Sequence, residues 1–433
     1  MFHTPPTRRK FLAEAAAGLA GASLAAHLAP IQRAFASEVG ALSFDPSHST
    51  SVRALRDRYM LADGLSYLNH ASIGTVPRPV HEAHVAYLTA CESHPSVYVW
   101  GDVWHDAKDH ARAQAAELLR CEPADLAITH NTTEGFNILA HGLPLGPGDE
   151  VLFSSLNHPG ASQAWWGVAP QRGFSVRSFD FPVARGPELS AAEVVEVHEA
   201  QIRPATRVLV FPHVDNMIGL RHPMAEIVEM ARARGVEFVV VDGAQSAGMI
   251  PLDLPASGVD AYAMSPHKWI QSPKGLGLFY AREAVRGRLK PMWYRYGVRR
   301  YGGTAAMYED YSTRAWPAVV TLGNALDFQA ALGQDAKVRR YRDIRRRVRD
   351  EVDARPGLVW RSPRPWGLGA SLMAVEVRGR SAREVGAWLA SEHRTDVRAF
   401  SPPLNTIRIS PNVANTDEEI GALLDRLEAA AAP

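Results

Sequence analysis

Five stretches in the middle of this chain place chemically capable side chains directly behind short apolar runs. Leu126–Thr129 is followed by Asn131, Thr132 and Thr133, and Val151–Phe153 by Asn157 and His158. Val208–Phe211 leads to Asp215 and Asn216, and Phe238–Val241 to Asp242 and Gln245. Tyr262–Met264 leads to Ser265, Pro266, His267 and Lys268. An amine, a carboxylate, an imidazole and several hydroxyls would meet in one place if the runs are neighbouring strands. In open α/β sheets the carboxyl ends of the strands form the binding crevice. A lysine and an acid there could hold a cofactor covalently and tune its electronics.

The elements that must position these groups are legible. Unbroken apolar runs, with Leu276–Phe279 as a sixth, read as strands buried on both faces of a mostly parallel sheet. Pro223 to Gly235 reads as a helix with Pro at its start and Gly past its end. The pattern predicts an α/β core from residue 66 to 323. A smaller α+β domain is expected over 324–433, and a short N-terminal segment over 37–65. Between Lys337 and Val352, Val338, Tyr341, Ile344 or Arg345, Val348 and Val352 recur at helical spacing. The basic residues among them read as a solvated face. Thr416 to Glu419 forms a capping-box pattern, before a buried stripe of Ile420, Leu423, Leu424 and Leu427.

Bulk properties exclude several function classes. The 433 residues carry 47 Lys+Arg against 46 Asp+Glu, a net charge of +1, so no global field recruits nucleic acid. Cys91 and Cys121 fit no zinc spacing or disulfide framework and read as small hydrophobes. No G-x-G-x-x-G opens a helix after the first strand, and no Walker A sequence occurs, which argues against a nucleotide-binding protein on the same sheet. At the N-terminus, Arg8-Arg9-Lys10-Phe11-Leu12 precedes an Ala/Gly-rich run, and Ala34-Phe35-Ala36 supplies a small-x-small site. Residues 1–36 therefore read as a signal peptide, similar to the twin-arginine export signal that moves folded proteins. A periplasmic location, with no stable membrane anchor, is the expectation.

The ordered motifs Val241–Ser246, Ser265–Lys268, Asn131–Asn137, His213–Gly219 and Arg408–Asn412 resemble the class V aminotransferase group of fold-type-I pyridoxal-phosphate (PLP) enzymes. This group includes cysteine desulfurases and isopenicillin-N-epimerase-like proteins, and Tyr67–Gly74 looks like its N-terminal segment. The resemblance implies a mostly parallel central sheet in a large domain, a smaller C-terminal domain, PLP as cofactor and a homodimer. It implies that Lys268 is the Schiff-base lysine and proton-moving base, and that Asp242 pairs with the ring nitrogen. Gln245 and Asn216 would contact the ring hydroxyl, and His158 would stack on the ring and serve catalysis as a proton relay. Thr132, Thr133, Ser265 and His267 would hold the phosphate. Thr313 would reach the partner's phosphate, although the family's Gly-Thr-Pro reads Ser312-Thr313-Arg314 here. Arg408 would grip a substrate α-carboxylate.

One departure narrows the function. Desulfurases of this group carry a catalytic cysteine in the stretch matching Glu392–Asn405, and none occurs here. The expectation is an enzyme acting at the α-amino carbon of a small amino-acid or peptide-like molecule. Transamination is the first reading, and epimerisation or β-elimination the alternative. The translocation machinery would be a partner during export.

Overall fold

The structure, a computed structural model of the chain, describes residues 28–294 and 296–431. Its centre is a seven-stranded sheet built from β1 (Leu126–Thr129), β2 (Glu150–Ser154), β3 (Ser175–Phe179), β4 (Thr206–Pro212), β5 (Phe238–Asp242), β6 (Ala261–Met264) and β7 (Gly277–Ala281). The spatial order is β1-β7-β6-β5-β4-β2-β3. The strands from β6 across to β3 pair in parallel, while β7 runs antiparallel to both its neighbours. This is the mostly parallel sheet that the apolar runs predict.

Alternate residues of each strand feed two different cores, because side chains on a strand point to opposite faces in turn. Leu126, Ile128, Leu209, Phe211, Val239 and Val241 pack in one cluster. Ala127, Val208, Val210, Phe238 and Val240 pack in the other. Burial on both sides explains why these strands carry no polar alternation. β3 was not expected from the sequence, since Ser175, Arg177 and Ser178 break its apolar character. It lies at the sheet edge, where one face meets water.

Two helices begin at the carboxyl ends of strands. α1 (Thr132–Gly142) follows β1, and α2 (Pro159–Arg172) follows β2. The helix expected near Pro223 spans Met224–Ala233, and Gly235 beyond it takes φ +82°, the left-handed conformation that suits glycine.

α3 (Trp316–Leu332) runs uninterrupted across residue 323, where the sequence suggested a domain boundary. It packs on the helices Arg78–Ser93 and His105–Leu119 and ends at Gly333. α4 (Gln334–Asp353) has the expected solvated basic face in Arg339, Arg342 and Arg346, which are exposed, but not all its basic residues lie there. Lys337, Arg340 and Arg345 are buried along with Tyr341, Ile344, Val348 and Val352. Arg345 donates to the carbonyls of Ala370 and Leu372, at 2.8 and 3.2 Å, and to that of Pro363. Beyond α4, β8 (Leu358–Trp360), β9 (Met373–Val377), β10 (Arg398–Phe400) and β11 (Thr406–Ile409) form an antiparallel sheet in the order β10-β11-β9-β8. α5 (Asp417–Ala430) carries the predicted capping box, and its four expected apolar residues are all buried.

The N-terminal segment is stitched into the C-terminal region. Ser66–Tyr67 pairs in parallel with Thr395–Asp396, and Asn69 bridges to Ser410. The arginine pair of the expected leader lies outside the described residues. Residues 28–40 are helical, so the Ala34-Phe35-Ala36 site sits within a helix, with Leu28 and Phe35 packed in the main core. No described helix is long and apolar enough to cross a membrane.

Candidate active site

A cavity of about 440 Å³ opens at the carboxyl ends of the parallel strands. That is within the usual size range of small-molecule sites. Thr132, Thr133, His158, Asn216, Asp242, Gln245, Ser265, His267, Lys268 and Arg408 all line it. Ten of the eleven residues singled out from the sequence thus converge. Thr313 is the exception. It is exposed and outside the cavity of its own chain. Ser312 before it adopts φ 133°, where glycine is favoured, which matches the Gly of the family's Gly-Thr-Pro.

Lys268 sits in the turn that follows β6, with its N–H on the Ser265 carbonyl at 3.1 Å. The N-terminal segment clamps this turn from outside: Gly74 N–H donates to the His267 carbonyl at 3.1 Å. A Cβ on Gly74 would lie 1.9 Å from the Lys268 carbonyl oxygen, so only glycine permits the approach. Burial lowers the Lys268 ammonium pKa to about 8, Asp242 opposing the shift and the Arg408 charge adding to it. The amine is therefore partly neutral near pH 7–8, as a nucleophile or base requires.

Asp242 ends β5 and is 4% exposed. One carboxylate oxygen accepts from the Ala244 N–H at 2.9 Å. Burial raises its pKa, while that hydrogen bond and the charges of Lys268 and His158 oppose the rise. A buried acid with no fixed cation fits a protonated ring nitrogen as its partner. Behind it, Gln245 is fixed by Trp269 Nε1, which donates to its Oε1 at 2.9 Å. Its Nε2 donates to the Ala71 carbonyl at 2.8 Å.

The opposite end of the cavity is built for an anion. Asn131 caps α1, accepting from the Glu134 N–H at 2.9 Å. The Thr132 N–H donates to Ser265 Oγ at 3.1 Å, and the two hydroxyls lie 2.8 Å apart. The first turn of α2 meets that of α1, because a Cβ on Gly160 would lie 2.7 Å from Thr133 Oγ1. Two helix N-termini therefore meet at this end of the cavity, where their dipoles favour an anion. His267 Nδ1 is buried without a partner there. This donor set fits a phosphate, and the whole constellation fits PLP: anion cup, buried acid and lysine in one cavity.

His158 lines the cavity with its Nδ1 accepting from the Gly160 N–H at 3.0 Å, which leaves the ring proton on Nε2. Burial lowers its pKa, so the ring stays neutral. Asn216 is set by Asp215, whose side chain accepts from the N–H groups of Met217, Ile218 and Leu220 at 2.7, 2.8 and 2.5 Å. Arg408, on β11, is 2% exposed. It donates to the Asn216 carbonyl at 2.8 Å, to Asn69 Oδ1 at 2.8 Å and to Ser72 Oγ at 2.6 Å. Burial and the nearby Arg398 charge bring its pKa down to about 10.

Sequence reasoning assigned no role to Asn69, Ser72, Arg398 or Phe400, although the last three line the cavity and Asn69 holds Arg408. Tyr67–Gly74 was marked as a motif, which is the signal that could have found the first two. Arg398 and Phe400 belong to a short strand with no motif of its own.

Known proteins agree with this geometry. The family described as Aminotransferase class-V matches residues 66–423. The chain is 31% identical over 396 residues to an isopenicillin N epimerase from Streptomyces clavuligerus, covering 86% of this chain and 97% of that one. It is 31% identical over 287 residues to a probable cysteine desulfurase from Pseudomonas aeruginosa, covering 63% and 69%. Among solved structures, a C-DES mutant with glycine covalently linked to its PLP cofactor superposes with a TM-score of 0.76 at 26% identity, covering 86% of this chain and 98% of that one. The chain belongs to the class V aminotransferase family, with the α/β fold of its fold-type-I PLP enzymes and PLP as its cofactor.

Proposed function

We propose that this protein is an exported aminotransferase acting on the α-amino carbon of an amino acid or a peptide-like compound. The observation that carries this reading is a single competent base, Lys268, beside a carboxylate-binding arginine. When bound, PLP supplies the electron sink that makes the Cα proton acidic. Arg408 orients the substrate through its carboxylate, with Asn69 and Ser72 holding the guanidinium in place. Lys268 Nζ, its pKa lowered to about 8, takes the Cα proton. His158 cannot readily supply a proton from the other side. Its Nδ1 is occupied and its neutral Nε2–H is a very weak acid. Lys268 would therefore both take up the proton and give it back on one face, which suits transamination, in which hydrolysis by water finally releases the keto product.

Epimerisation is the second reading, favoured by the 31% identity to isopenicillin N epimerase along 97% of that protein. It needs a proton delivered to the face away from Lys268. Thiol-based desulfuration has less support, because neither Cys91 nor Cys121 lines the cavity and burial pushes the Cys121 thiol up to about 12. Export by the twin-arginine route, and with it a periplasmic location, rests on the Arg8-Arg9 leader. The family resemblance supports a homodimer in which Thr313 meets the partner's phosphate cup.

The test is to incubate holoenzyme with amino-acid and peptide donors in deuterated water, following product mass and cofactor absorbance. Keto product with conversion of the cofactor to its amine form supports transamination. Deuterium at Cα with inverted configuration and no keto product replaces it with epimerisation. Lys268→Ala should abolish both, and borohydride should mark the Lys268 peptide of the wild type alone.

A further inference from the structure

The cavity holds a second guanidinium that the cofactor and the α-carboxylate leave unused. Arg398 on β10 is the register partner of Arg408 on β11. Directly opposed residues of an antiparallel pair project from the same face, and both arginines line the cavity. Phe400 lies beside both, with each guanidinium carbon 5.8 Å from its ring centre. One aromatic ring thus neighbours two cations in the cavity wall.

Neither guanidinium forms an ion pair among the described residues, although the carboxylates of Asp215 and Asp396 partly offset the Arg408 charge from farther away. Asp242 is the one acid that lines the cavity. That acid would be taken up by the cofactor's ring nitrogen. Arg408 is anchored on neutral oxygens only, and its Nε–H is buried without a partner. Burial and then the Arg398 charge lower the Arg408 pKa, as expected for two like charges that line one cavity. An arrangement of this kind is relieved by two negative groups, and a single α-carboxylate supplies only one.

We propose that Arg398 and Phe400 form a side-chain subsite for a second carboxylate, so that the preferred substrates are acidic α-amino compounds with two carboxylates. Arg408 takes the α-carboxylate and Arg398 the distal one, while the methylenes between them lie along the Phe400 ring. The proposal rests on the α-carbon reading above and names the substrate class of that same site.

Two arms test it on holoenzyme. In the first, kcat/KM is compared for glutamate against glutamine and for aspartate against asparagine, in wild type, Arg398→Gln and Arg398→Lys. The acid-to-amide preference should fall about tenfold in Arg398→Gln, mainly through KM, and return in part with lysine; a charge-assisted contact partly open to water has that size. An unchanged preference in Arg398→Gln overturns the proposal, as does a wild type that prefers the amides. In the second arm, calorimetry measures binding of glutarate and butyrate without turnover. Wild type should bind glutarate more tightly, and Arg398→Gln should lose that difference. Equal affinity for the two acids in wild type overturns the proposal. If no amino acid is turned over, the α-carbon reading fails while the calorimetric arm still decides the subsite.

Discussion

Replacing Asp215 should show how the loop after β4 is held and what depends on it. Its carboxylate is fully buried, and its two oxygens divide the work: Oδ1 accepts from Met217 and Ile218, Oδ2 from Leu220. Asp215→Ala orphans three backbone donors, two of them on the buried residues Ile218 and Leu220. Orphaned buried N–H groups cost 1–3 kcal/mol each, so the gross loss is about 5 kcal/mol. Against this, burial raises the carboxyl pKa from 3.8 to about 6, and losing the buried charge at pH 7 returns about 2–3 kcal/mol. The net destabilisation is then about 2–3 kcal/mol. Asp215→Asn keeps an acceptor for Met217 and Ile218 but turns an NH₂ toward the Leu220 N–H, and should fall between wild type and alanine. Because the neighbouring Asn216 carbonyl receives Arg408 at 2.8 Å, a loosened loop should also raise KM for carboxylate substrates. Urea unfolding followed by circular dichroism gives the stability, and steady-state kinetics the KM. A cost below about 1 kcal/mol for alanine, or an asparagine variant as weak as alanine, refutes the reasoning.

Two further outcomes follow from titration. Enzyme stripped of cofactor should recapture PLP through the neutral amine of Lys268, pKa about 8, so the reloading rate should fall about tenfold per pH unit below 8 and level off above it. A rate independent of pH between 6 and 8 contradicts the buried amine. Lys337 is 1% exposed, and its amine donates to Gln329 Oε1 at 3.0 Å and to the Gly248 carbonyl at 3.3 Å. Burial lowers its pKa from 10.5 to about 7. Between those values the unfolded chain binds the extra proton, so stability should rise with pH across that window, by up to about 1.4 kcal/mol per unit. Urea midpoints measured on Lys337→Met should lack this rise.

The large sheet and nine of the ten cavity residues could be read from the sequence for one reason, while Arg408 comes only from the family resemblance. Strands covered on both faces become uninterrupted Val, Ile, Leu and Phe, and the polar residue that ends each run stands out against them. Where that contrast fades, legibility fades too. β3 at the edge mixes Ser and Arg with Val, and β10 is three residues long. Arg345 and Lys337 look like surface residues in sequence, and only the carbonyls they meet reveal that they are inside. Thr313 could be found by alignment with a motif, but its own chain gives it no phosphate to touch.

Because Ala71 and Ser72 contribute one wall of the cavity and Arg408 another, the binding place is assembled from segments more than three hundred residues apart. A nascent chain still attached to the ribosome before Arg408 emerges has strands, helices and the reactive lysine, yet no enclosed chamber. Such long-range closure comes late in folding. Grip on a substrate carboxylate through Arg408 therefore belongs to the finished polypeptide.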